Sequence, residues 1–203
     1  MRRFALAFLP LLLAAPVLPG CAEMRTPQSA MNLPLDLVPG ATDPMRQAVN
    51  LAAADFADQG AALAGDPVRT ARAAARLEFL AQLLATDPRY AALPAGMILS
   101  LGGAVGEVRR ALGLSESTPP EQAVTLLADV ARALEAGRRP VFPEAVFPAG
   151  PEMTLRRLRE PGPLPEAAIA TGRLQEAVAA LDANAGWRMA PNAVPYRNTV
   201  LSP

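Results

Sequence analysis

The chain has 203 residues, with 19 basic and 19 acidic side chains, no histidine and a single cysteine; every basic residue is arginine. Without histidine or lysine there is no Ser-His-Asp or Cys-His nucleophile, no Schiff base, and little means of holding zinc, haem or an iron-sulfur cluster, so no metal or cofactor is expected. The balanced charge supplies no basic field to collect nucleic acid.

The amino terminus begins Met1-Arg2-Arg3 and continues into an apolar run from Phe4 to Leu18, broken by Pro10 and Pro16. A positive start followed by a short apolar core is the layout of a secretory signal peptide, and the run falls short of the roughly 20 residues that a membrane-spanning helix needs. It ends in Leu18-Pro19-Gly20-Cys21-Ala22. This segment resembles the lipobox of bacterial lipoproteins, although Pro19 stands where a small residue is usual. The resemblance implies that residues 1–20 are removed, that Cys21 receives a diacylglyceryl thioether and an acylated amino group, and that the chain is held on a membrane by this lipid. Ala22 in place of Asp implies sorting to the outer membrane, facing the periplasm. Ordinary cleavage after Ala22, which discards Cys21, is the alternative, and either route exports the chain. Cys21 has no second cysteine with which to form a disulfide. Without Arg2 and Arg3 the remainder carries 17 arginines against 19 acidic residues, a net charge near −2.

Residues 21–42 contain Pro27, Pro34, Pro39 and Gly40 with little periodicity, and they read as a flexible tether. Three Asp-Pro pairs follow, at Asp43, Asp66 and Asp87. Each sets a capping carboxylate before a proline at the first helical position. From Asp43 to Ala64, Met45, Val49, Ala52, Phe56 and Leu63 make an apolar stripe, with Asp55 and Asp58 on the opposite, solvated side. From Asp66 to Ala85 the stripe is Ala73, Leu77, Leu80 and Leu84, and Arg69, Arg72 and Arg76 form a charged ridge. The short link at Gly65 and Asp66 predicts an antiparallel hairpin.

A third helix, Pro94 to Leu112, carries Ile98, Leu101, Val105, Val108 and Leu112 at spacings of three and four. Thr118-Pro119-Pro120-Glu121 has the spacing of a capping box and opens a fourth helix, with Val124, Leu127, Ala131 and Leu134, that stops at Gly137. Residues 43–136 therefore predict a four-helix bundle. Residues 137–165 read as a Pro-rich arm that inserts Phe142 and Phe147 and includes a short helix from Thr154 to Glu160. Residues 166–183, with Ile169, Leu174, Ala177, Val178 and Leu181, give a fifth helix on the bundle, and 184–203 an irregular tail. The fold expected is all-α, an up-and-down bundle of four to five helices with an extended arm.

Gly102, Gly103 and Gly106 lack the preceding strand of a dinucleotide fingerprint and the Gly-Lys-Ser/Thr of a phosphate loop, so they read as a small-residue groove against another helix. Asp55 with Asp58, or Glu78 with Glu107, supply the paired carboxylates that a glycan-cleaving enzyme would need. Arg138, Arg139, Arg156, Arg157 and Arg159 offer a surface for anionic groups, with Glu152 and Glu160 as local competitors. Trp187, Tyr196, Phe142 and Phe147 are candidates for a partner-binding groove. Together these features favour a noncatalytic envelope protein, anchored to the membrane through Cys21 and acting as a structural or interaction module with an envelope protein partner. The alternatives are a carrier of a small apolar ligand or lipid between helices, and a carboxylate-based glycan hydrolase.

Overall fold

Asp-Pro pairs start the first two helices as their chemistry requires. Asp43 accepts the Arg46 amide at 3.0 Å and opens α1 (Pro44–Gly60); Asp66 accepts the Arg69 amide at 2.9 Å and opens α2 (Pro67–Thr86). The third pair opens only a 3-10 turn, Pro88–Tyr90, before α3 (Ala95–Leu112), α4 (Pro120–Glu135), α5 (Pro151–Arg159) and α6 (Pro165–Ala183). These elements come from a computed structural model that describes residues 31 and 33–189. Cys21 and Tyr196 lie outside that range. Among the described residues there are six α-helices and no strand, and none of the helices is long and apolar enough to cross a membrane. The all-α helical bundle is thus the fold of the chain.

Packing departs from a simple sequential bundle. The most extensive helix contacts are α2 with α4 and α1 with α6, while α3 leans on both α6 and α2. Helix α6 is therefore integral to the core: Ala167, Ala170, Leu174 and Val178 are buried between α1 and α3. It runs antiparallel to α3, because the Glu107 carboxylate, late in α3, accepts the Glu166 amide at 3.1 Å and the Ala167 amide at 2.8 Å. A side chain from one helix thereby caps the start of another, whose own Leu164 has no side chain able to do so.

Four local expectations are corrected. The first helix does not continue to Ala64. Its regular part ends at Phe56; Ala57 is extended, and Asp58, Gln59 and Gly60 are left-handed, with φ of 49°, 58° and 79°. The turn is held from outside, by Leu164 donating to the Gln59 carbonyl (2.9 Å) and Gly65 to the Arg159 carbonyl (2.8 Å). Second, the stretch read as tether is docked from Met31 onward: Leu37 and Val38 are buried, and Arg76 donates to the Leu37 carbonyl at 2.7 Å. Third, the capping box is not formed. Pro119 is the N-cap, Pro119 and Pro120 bring no amide hydrogens, and the Thr118 hydroxyl has no partner while Arg109 takes its carbonyl at 2.9 Å. Fourth, Ile169 is not a core residue but 53% exposed. The arm does insert its aromatics: Phe147 is buried and meets half-buried Phe142 edge-to-face, with ring centres 5.2 Å apart.

Candidate functional site

Helix α3 buries Leu101, Ala104, Val108 and Leu112, and this face places Gly96, Leu99, Gly102, Gly103 and Gly106 on its outer side. No charged residue occurs from Ala95 to Gly106. Leu99 is 79% exposed. A Cβ built on Gly96 or Gly102 meets nothing within 4 Å; at Gly103 it meets only a Glu166 carboxylate oxygen (3.1 Å), and at Gly106 only the Arg110 guanidinium (3.2 Å). The expected groove against a neighbouring helix is therefore corrected. These glycines face outward, because the apolar stripe that chooses the core runs down the other side of α3. Ile169, on the antiparallel α6 that packs on α3, is exposed as well. Among the described residues, the outer side of α3 from Gly96 to Gly102 is thus left uncovered.

The five candidate arginines separate into two groups. Arg138 and Arg139 follow the end of α4 and are exposed, whereas Arg156, Arg157 and Arg159 lie on α5. Arg157 covers Gly113, the left-handed residue (φ 71°) that ends α3, so closely that a Cβ there would collide with its guanidinium. Among the described residues none of the five forms an ion pair, and Glu152 and Glu160 do not neutralise them. Asp36, Asp129 and Glu135, by contrast, are each engaged: Arg132 bonds Asp36 (2.9 Å) and Asp129 (2.7 Å), and Arg72 bonds Glu135 (2.7 Å).

Sequence reasoning missed two buried ion pairs. Asp55, expected in solvent, is buried; it accepts from Arg76 at 2.5 Å and from Arg69 at 2.7 Å. The charged ridge of α2 is thus half interior, and burial pushes the Arg76 guanidinium below its usual range against the pull of Asp55. Glu78 and Arg109 form a second buried pair, two-pronged at 2.6 and 2.8 Å, and Arg109 also binds the Glu116 and Thr118 carbonyls at 3.0 and 2.9 Å. Burial raises Glu78 above the ordinary carboxylate range, with Arg109 opposing. Arg69 and Arg76, seven residues apart and so on one face of α2, were the only hint of the first pair.

The candidate carboxylate pairs are accordingly not poised as partners. Asp55 and Glu78 are held by arginines, Glu107 by the amides of α6, and Asp58 is exposed in the left-handed turn. Among the described residues no group of three His, Cys, Asp or Glu side chains is arranged to hold a metal ion. The aromatics do not converge either. Trp187 stands at 85° to Tyr90, 6.0 Å between ring centres, and donates to Asp182 at 2.6 Å, while Arg46 lies over its ring and bonds the same carboxylate at 2.6 and 2.8 Å. Phe142 pairs with Phe147 instead. No protein-family model matches the chain, and neither a curated protein nor a solved structure matches it.

Proposed function

We propose that this chain is a noncatalytic, lipid-anchored envelope protein, tied through Cys21 to the outer membrane on its periplasmic side, that works as a structural or protein-interaction module. The apolar run, the lipobox-like Leu18 to Cys21 and the lone cysteine support export and anchoring. The outer face of α3 carries the interaction reading. Glycine in a helix interior costs about 1 kcal/mol relative to alanine, and this face bears three of them, Gly102, Gly103 and Gly106, where a methyl group would find open space or the end of a flexible side chain. Packing among the described residues requires none of them. A second backbone approaching from outside, with Leu99 and Ile169 as apolar contacts, supplies a reason.

Two measurements test this. A photo-crosslinking residue placed at Leu99 in cells should form a discrete adduct that disappears when Gly102→Leu blocks close approach, while the same label at exposed Glu176 gives none. A label at Leu99 that yields no adduct, or adducts indifferent to Gly102→Leu, refutes the interaction surface. Separately, Cys21→Ser should move the protein out of the detergent-soluble membrane fraction. Unchanged partitioning with an unmodified amino terminus refutes the anchor.

A further inference from the structure

Among the described residues the other two large exposed apolar side chains are Leu35 (77%), ahead of α1, and Val141 (78%), in the arm that follows α4. Leu35 precedes Asp36, which bonds Arg132 one turn before the end of α4, so it emerges beside the last turns of that helix. Arg138, Arg139 and Val141 follow directly from the same helix end. The neighbouring carboxylates Asp36, Asp129 and Glu135 are already bound by Arg132 and Arg72, whereas Arg138 and Arg139 meet none among the described residues, and the nearest carboxylate ahead in sequence, Glu144, is exposed. This is also where the amino-terminal segment joins the bundle: Met31 and Leu33 already pack against the core, Leu37 and Val38 are buried, and Arg76 holds the Leu37 carbonyl. Between Cys21 and Leu35 lie 13 residues, a reach of at most about 50 Å.

We infer that this end of the bundle, formed by Leu35, Arg138, Arg139 and Val141, rests on the anionic headgroups of the membrane that carries the lipid. The inference depends on the anchored reading above for its geometry. A short tether keeps the patch at high effective concentration near the surface, so contacts too weak to recruit a free protein still orient a tethered one. Guanidinium groups bind headgroup phosphates in two-pronged fashion, and the flanking Leu35 and Val141 enter the interface. Each basic side chain near an anionic surface raises partitioning about fivefold, so the pair contributes roughly 25-fold. Orientation in this manner leaves α3 clear of the bilayer for a protein partner.

The test uses the acylated chain in vesicles. With Cys21 blocked by lipid, a fluorophore on Val141→Cys is the only thiol label. Its emission should be quenched by brominated lipid in vesicles containing phosphatidylglycerol, little in pure phosphatidylcholine, and no longer after Arg138→Glu with Arg139→Glu, which should leave the melting temperature unchanged. The same label on Leu99→Cys should stay in water. The inference is overturned if the Val141 label is unquenched on anionic vesicles, if charge reversal leaves quenching intact, if the Leu99 label is quenched instead, or if the Val141 label is shielded by a bound protein. Failure of the anchor is read independently, by the mass of the mature amino terminus; protein tethered instead through an amino-terminal histidine tag on nickel-chelating lipid in the same vesicles then still reports whether the patch binds.

Discussion

Removing Asp55 should be among the most damaging single changes in the molecule. Its two oxygens hold Arg76 and Arg69, and Arg76 in turn holds the Leu37 carbonyl. In Asp55→Ala, Arg76 is left as an uncompensated cation in the interior, because its side chain is 7% exposed. Breaking one partner of a buried pair costs about 3–5 kcal/mol, a large share of the roughly 5–15 kcal/mol that stabilises a typical domain. Losing Arg69, whose side chain is 41% exposed, should cost only about 0–1 kcal/mol. For a chain of this size each kcal/mol shifts the melting temperature by about 2–4 °C, so Asp55→Ala should melt roughly 6–20 °C lower. Urea midpoints at equal slope give the free energy directly. The combined Asp55→Leu and Arg76→Met change should recover part of the loss, the remainder being the unsatisfied Leu37 carbonyl, at about 1–3 kcal/mol. A loss below about 1 kcal/mol for Asp55→Ala would put that carboxylate back in solvent and refute the buried pair.

Gly102→Ala should stabilise by up to about 1 kcal/mol through helix propensity, whereas Gly113→Ala, at φ 71° and under Arg157, should destabilise by at least about 1 kcal/mol; chemical denaturation of both variants gives the signs. Glu107→Ala should cost about 0.5–2 kcal/mol through loss of the α6 cap, read as faster amide exchange at Glu166 and Ala167. Trp187 is the sole tryptophan and reports on Asp182, whose pKa is held below the ordinary aspartate range by hydrogen bonds from Arg46 and then Trp187. A depressed folded pKa means that the stabilisation is present above the ordinary value and lost as pH falls through the folded one. Trp187 fluorescence should therefore change only below about pH 4, and Asp182→Asn should abolish that transition. A transition at or above pH 5 would contradict the Arg46 contact.

Much of the secondary structure was legible because its causes are local. Asp-Pro pairs mark where α1 and α2 begin, and apolar residues at spacings of three and four mark α3 and α4; neither depends on what the helix later touches. What surrounds each helix is a different question. A wheel drawn for α1 alone assigns one buried stripe and puts Asp55 opposite it, but α1 is covered by both α2 and α6. The covering face of α2 brings Arg69 and Arg76, which make burial of a carboxylate tolerable. The same limit explains the glycines of α3. Small residues suit a close helix contact from either side, and only the tertiary arrangement shows that the core took the Leu101–Leu112 side and left Gly102 facing out. Leu37 followed the same logic: its prolines and weak periodicity describe an irregular backbone correctly, yet irregular backbone can still be buried when an arginine from another helix satisfies its carbonyl. Sequence alone determined where α1 and α2 begin, since their caps and first-turn prolines act within a few residues. Tertiary structure decided which polar groups lie inside, since their cost depends on partners that come from distant parts of the chain.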